Sequence, residues 1–262
     1  MTLQIDTLAY TNRLRGLPPE PKLLFAIALL IITYITHPPI QLLITLWLGV
    51  WVIVYAKIPA SIYLKLLFIP ASFWLTSLPA LVLSGVAVAD LSTVQLDVWQ
   101  GFRIGHVYFY LSRQGIDQAE HLLARAIAST SCIYFAMLTV PFNDLLQLLR
   151  RLGCPTLLTD LLLLMYRFIF MLLRIASELW TAQHARNGYR TWRTSMNSMG
   201  LLVSQLLKRT LNHYHDVSLS LASRGFSGEF RVWHSRSYHY SRRYLIEAVL
   251  GCVILIVLSF ES

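Results

Sequence analysis

Five stretches of this 262-residue chain are apolar for most of the thickness of a bilayer, and proline punctuates nearly all of them. A spanning helix takes about 20 predominantly apolar residues. The first run, residues 22–36, is short and stops at His37-Pro38-Pro39. The second, residues 40–56, closes at Lys57-Ile58-Pro59, so the pair reads as a hairpin across the membrane, turned by prolines. The third extends from residue 66 to about residue 89 through Pro70 and Pro79, which kink a helix without breaking it inside protein. The fourth, residues 122–140, carries Arg125 near its start and ends at Pro141, and the fifth, residues 245–260, has Glu247 at its polar edge. Composition agrees: 56% of residues are hydrophobic and 13% charged, where a soluble domain carries about 25% charged. A soluble enzyme, a disordered tail and a disulfide scaffold are excluded on that ground.

A sixth apolar run, residues 157–173, is of another kind. Asp160, Arg167 and Arg174 interrupt it at intervals of seven, close to two helical turns, so the three charges form one stripe. Ionised groups at mid-bilayer cost several kcal/mol. The expectation is therefore a long non-spanning helix at the interface or packed on other helices, its stripe toward water or protein, with a sixth span as the alternative. Residues 85–117 hold Gly101, Gly105 and Gly115, and the alternating aromatic stretch 99–111 suits a short hairpin outside the hydrocarbon.

The net charge of +9 is not spread evenly. Residues 141–243 contain 14 Lys and Arg against 5 Asp and Glu, whereas the remainder carries 8 of each. The whole surplus lies between the fourth and fifth runs. Basic residues favour the cytoplasmic side, and span parity places the N-terminus, the Lys57/Lys65 turn and the basic segment together on that side, with the C-terminus outside. Within the segment, Met199, Val203, Leu206, Thr210, Tyr214, Val217 and Leu221 recur at helical spacing, which predicts a second amphipathic helix. It ends at Ala222-Ser223-Arg224-Gly225; the helix before it ends at Ala185-Arg186-Asn187-Gly188. An arginine at a helix C-terminus gains from the dipole, so simple capping explains either end alone. Two such ends on one platform suggest two guanidinium plugs for acidic grooves in a partner with two equivalent sockets.

Other chemistry finds little support. Cys132, Cys154 and Cys252 are far apart and make no metal or disulfide spacing. His213 and His215 point about 200° apart on a helix, and His234 and His239 fall in a polar linker, so no metal site is expected. No HExxH, GxSxG or GxxxxGK[ST] motif is present, which leaves an intramembrane enzyme built on Asp160, Arg167 and Glu178 unsupported. A basic scaffold on anionic lipid is a further alternative, although lipid anchors cluster their charge. No removable signal peptide is expected.

Asp6-x-x-Ala9 with Arg13-Leu14-Arg15 and Pro21-Lys22, then Pro141-Phe142, Leu148-Leu149-Arg150-Arg151-Leu152, Pro155, Leu164-Met165-Tyr166-Arg167-Phe168, Ser198-Met199-Gly200 and the two arginine–glycine helix ends follow one another in order. In this the sequence resembles the transmembrane coupling component of energy-coupling-factor ABC importers, in the cobalt-transport branch called CbiQ. The resemblance implies an all-α polytopic membrane protein with about five spanning helices and a cytoplasmic helical coupling domain between the fourth and fifth. Residues 1–140 would be the membrane part, 141–243 the coupling domain and 244–262 the last span. It implies a non-catalytic scaffold, without cofactor or metal of its own, in the bacterial cytoplasmic membrane. Its partners would be two ATP-binding cassette ATPases, which hold the ATP, a substrate-binding membrane subunit and the lipid bilayer, with no nucleic acid. Docking on the ATPases would fall on Ala185, Arg186 and Gly188 and on Ala222, Arg224 and Gly225, and Asp160, Arg167 and Arg174 would be the stripe of the coupling helix. Cobalt(II) is the implied cargo, with nickel or a vitamin as alternatives. Asn187 between Arg186 and Gly188, and Ser223 before Arg224, depart from the family pattern.

Overall fold

A computed structural model describes residues 2–87, 98–104, 107–225, 238 and 240–261. Its elements are α1 (Thr2–Thr11), a 3₁₀ turn (Arg13–Gly16), α2 (Pro19–Ile35), α3 (Pro38–Val50) with a π-helical turn (Trp51–Tyr55), α4 (Ala60–Val82), β1 (Leu83–Ala87), β2 (Val98–Ile104), β3 (Val107–Ser112), α5 (Arg113–Thr139), α6 (Phe142–Arg151), α7 (Thr156–Ala185), α8 (Trp192–Ser223) and α9 (Arg242–Glu261). The chain forms two compact units, Met1–Asp144 with Arg236–Ser262 and Leu145–Ser235. Among the described residues, four helical stretches, Pro38–Tyr55, Ala60–Val82, Gln114–Thr139 and Thr156–Ala185, are long and apolar enough to cross a membrane. The protein is a helical, multi-pass membrane protein.

In the first unit, local chemistry sets the helix ends. Pro38 and Pro39 occupy the first turn of α3, where a missing N–H costs nothing, and the chain reverses at the extended Thr36 and His37. Lys57 breaks the path into α4 with a φ of 57°. Pro70 and Pro79 lie within α4. That helix stops at Val82, short of the expected residue 89. The chain continues instead as β1, which pairs antiparallel with β3 in a sheet of order β1-β3-β2. An apolar run does not distinguish the end of a helix from a strand that follows it. β2 and β3 form the hairpin foreseen for residues 99–111, with Phe102 opposite Phe109.

The core converges on Trp51. Its ring lies 5.1 Å from Phe25, 6.4 Å from Trp47, 6.2 Å from Phe135 and 6.0 Å from Tyr244, so one side chain joins α2, α3, α5 and α9. α5 presents Ala124, Ala128, Ser131 and Cys132 to its neighbours, and these small residues let α2, α3 and α4 pack against it. Buried polar groups are matched across the same contacts: Tyr63 and Ser131 share a hydrogen bond of 2.5 Å, and the Trp74 indole donates to the Ala119 carbonyl at 2.7 Å. At the end of α5 two carbonyls that have no helical donor are met from elsewhere in the chain. Asn12 Nδ2 donates to Leu138 at 3.0 Å and Lys22 Nζ to Thr139 at 3.3 Å. Outward, Leu24, Ile31, Phe68, Phe73 and Leu75 stay exposed, as lipid-facing side chains must.

Candidate functional site

In the second unit, Pro155 precedes α7 and turns the chain back from α6. Arg150 near the end of α6 grips this turn: its Nε donates to Thr159 Oγ1 at 2.7 Å and its Nη2 pairs with Asp160 Oδ1. Asp160 is buried by that contact. Arg167 and Arg174 are exposed, and Arg174 Nε donates to Glu178 Oε1 at 3.3 Å. The three charges of the expected stripe therefore sit in different surroundings, the first held by α6 and the third by its own helix.

α7 and α8 form an antiparallel pair. Arg209 Nη1 reaches Glu178 Oε2 at 3.9 Å, Phe168 and His213 meet at 6.2 Å, and Ser198 Oγ donates to the Gly188 carbonyl at 2.8 Å. The inward side of α8 runs through Ser198, Leu202, Leu206, Thr210, Val217 and Leu221. Met199, Val203 and Tyr214, expected on the apolar stripe, are exposed by 50%, 60% and 62%. Leu206, Thr210, Val217 and Leu221 of the expected stripe do lie inward, while Ser198 and Leu202 take the places of Met199 and Val203, one residue and about 100° away. α8 is apolar on two adjacent faces, and only packing chooses between them.

The two arginine ends share one backbone design. Arg186 caps α7 at φ −94° and ψ 15°, and Arg224 caps α8 at φ −95° and ψ 9°. The next residue is left-handed in each case, Asn187 at 57° and Gly225 at 68°. Asn187 thus fills the slot that Gly225 fills in the second end, which asparagine tolerates better than most side chains. Arg186 and Arg224 are exposed, and neither guanidinium has a hydrogen bond or ion pair among the described residues. Ala185 and Ala222 are exposed beside them.

Gly188 serves a different purpose. A Cβ there would lie 2.6 Å from Ser198 Oγ and 3.0 Å from the Gln183 carbonyl, so glycine is required by close approach. Its N–H donates to the Gln183 carbonyl at 3.0 Å. Tyr189 completes the clamp: its ring stacks on Trp180 at 4.3 Å and its hydroxyl donates to Gln183 Oε1 at 2.7 Å. Thr191 and Thr194 then start α8 with a reciprocal capping box. Arg150 and Ser198 stood in the sequence only within the motifs of the family resemblance, and Trp180 and Tyr189 did not stand out at all; a Thr-x-x-Thr pair is a further local signal that was there to read. Tyr189→Ala should raise amide hydrogen exchange at residues 188–190 about tenfold, since stacking and one hydrogen bond are together worth about 1–3 kcal/mol. Tyr189→Phe, which keeps the ring, should fall between.

The clamp also fixes a length. Ser198 touches Gly188, two residues from Arg186. Arg224 lies 26 residues further along uninterrupted helix, ~39 Å at the helical rise. The two guanidinium groups stand at opposite ends of α8 and cannot share a socket. Among the described residues no three His, Cys, Asp or Glu side chains group as a metal site. His213 and His215 are exposed on α8, and His234 and His239 lie outside the described residues.

Comparison with known proteins gives a consistent answer. The chain is 31% identical over 234 residues to the cobalt transport protein CbiQ of Rhodobacter capsulatus, covering 88% of each. It is 27% identical over 231 residues to CbiQ of Salmonella typhimurium, covering 87% of this chain and 99% of that one. It is 30% identical over 230 residues to a putative fused cobalt transport protein CbiMQ of Methanocorpusculum labreanum, of which it covers 36%. The family model described as cobalt transport protein, CbiQ, matches residues 11–234. On that match, which takes in both arginine ends and all but the last of the membrane helices, the chain belongs to the CbiQ family of cobalt transport proteins.

Proposed function

We propose that this protein is the membrane coupling subunit of an energy-coupling-factor importer for cobalt(II). In this reading two cytoplasmic ATPases dock on the second unit, one at Arg186 and one at Arg224. Their ATP-driven motion passes through α7 and α8 to a substrate-binding membrane subunit. The chain itself holds neither ATP nor metal and catalyses nothing. It lies in the bacterial inner membrane, with the N-terminus and coupling domain cytoplasmic.

The observation that carries the reading is the pair of exposed, unengaged arginines in one cap geometry, at the C-terminal ends of α7 and α8. Capping alone does not account for both, because neither side chain bonds back to its own helix end among the described residues. The ~39 Å of helix from Ser198, beside the first end, to Arg224 suits one socket in each of two subunits. The fused relative supports a membrane partner, since it carries a CbiQ-like portion within a longer cobalt transport chain. The relatives' names favour cobalt over nickel or a vitamin.

Affinity purification of the tagged full chain from its own membranes tests this. An ATPase and a second membrane protein should elute with it, and deleting its gene should abolish uptake of radiolabelled cobalt. Elution of the chain alone, or cobalt uptake unchanged by the deletion, would sink the proposal. Parallel nickel and vitamin uptake assays assign the cargo.

A further inference from the structure

We propose that a crevice between α2 and α9 in the first unit binds one acyl chain of an anionic glycerophospholipid, whose phosphate sits at the crevice's basic end. The crevice has a volume of about 380 Å³ and is lined almost wholly by apolar side chains. Leu24 and Ala28 form one wall and Leu245, Ala248 and Cys252 the other. Leu24 and Val249 on the rim are exposed while Trp51 and Phe135 at the bottom are buried, so it runs inward from the lipid-facing surface to the aromatic core.

Shape selects the occupant. Along α9 the lining extends from Ser241 to Val253, ~18 Å at the helical rise. A single polymethylene chain, slender and wholly apolar, matches a groove of that length and lining. Filling it is favourable because voids along apolar walls forfeit dispersion contacts.

Charge selects the headgroup. One end of the crevice is lined by Lys22, which is only 6% exposed, and by Ser241, immediately before the exposed Arg242 and Arg243. Leu17 and Pro18 line the same region, just after Arg13 and Arg15. Arg15 is turned onto Tyr10, donating to its carbonyl at 2.6 Å, while Arg13 is exposed. Lys22 donates to the Thr139 carbonyl at 3.3 Å and lies near Asp144. Glu20 and Glu247 are the other acids at this end, so cations outnumber acids. Basic residues at the start of a helix, beside its positive dipole end, attract a phosphate. The other end of the slot, at Cys252 and Val253, is apolar.

The test is native mass spectrometry of the purified full chain, delipidated and titrated with phosphatidylglycerol or phosphatidylcholine. Phosphatidylglycerol should bind at least tenfold more tightly. Val249→Trp, which lays an indole across the slot from an exposed position, should lower that binding at least tenfold at unchanged melting temperature. Arg242→Glu with Arg243→Glu, both at exposed positions, should abolish the preference between headgroups, and this arm stands even where V249W does not fold. Equal binding of the two lipids, unchanged binding in folded V249W, or a preference that survives the double charge reversal would overturn the proposal. So would cross-linking of Val249→Cys to a helix of a partner subunit in the assembled importer.

Discussion

On the proposed coupling role, Arg186→Glu combined with Arg224→Glu is expected to strip ATPases from the purified protein and abolish cobalt uptake, while insertion into the membrane is unchanged. Hydrogen bonds to charged groups contribute about 1.5–3 kcal/mol each, and reversal adds repulsion against an acidic socket. Each single reversal should therefore weaken ATPase association by about 10–100-fold. The sites lie at either end of the ~39 Å of helix from Ser198 to Arg224 and share no partner, so their effects should combine as independent contributions. Arg→Lys at either position should recover part of the loss, because it keeps the charge and loses the planar fork. Quantifying the ATPase band against this chain after affinity purification reads out each variant. Normal cobalt uptake in the double mutant would end the two-plug model.

Gly251→Leu should be the most damaging single substitution in the membrane unit. α9 crosses α3 at this residue so closely that a Cβ on Gly251 would overlap the Trp47 ring. Trp47 has little freedom to yield: it meets Phe25 edge-on at 5.2 Å and Trp51 at 6.4 Å. Overpacking of a tight core costs about 1–3 kcal/mol, occasionally more, and here the displaced ring belongs to the hub joining four helices. The melting temperature in detergent should fall by several degrees or more, with loss of monodisperse protein on gel filtration. Gly251→Leu with Trp47→Ala should recover much of the loss, since the smaller residue vacates the volume the leucine needs. A Gly251→Leu variant as stable as the parent would show that α9 does not pack where the structure places it.

These two cases also show where sequence stops informing. The arginine caps were visible because capping is local: Arg186 and Arg224 precede residues able to take left-handed backbone. The departure at Asn187 resolves in the same local terms, since asparagine and glycine occupy equivalent slots. The clamp at Gly188 was not visible, because its need for glycine comes from Ser198, ten residues away across the turn. Gly251 was hidden for the same reason, its neighbour Trp47 being far off in the sequence. Apolar length foretold the helices of the membrane unit but not the end of α4 at Val82, where a strand of similar hydropathy follows. The heptad spacing of Asp160, Arg167 and Arg174 placed three charges near one face, yet Arg150 on another helix decided the surroundings of the first.

The geometry of α8 sets a mechanical rule for whatever grips its two ends. A continuous helix of 32 residues with no internal proline resists shortening, because each turn is closed by its own hydrogen bonds. It behaves as a strut of fixed length between two handles. When paired subunits holding those handles change their spacing, compression cannot take up the difference. The compliance must come from where α8 meets the turn and α7: the 2.8 Å hydrogen bond from Ser198 to Gly188 backed by the Tyr189 stack, and the Arg209–Glu178 and Phe168–His213 contacts. In the proposed coupling role, the stiffness of these contacts would set how much of an ATPase stroke becomes rotation of one rod against the other.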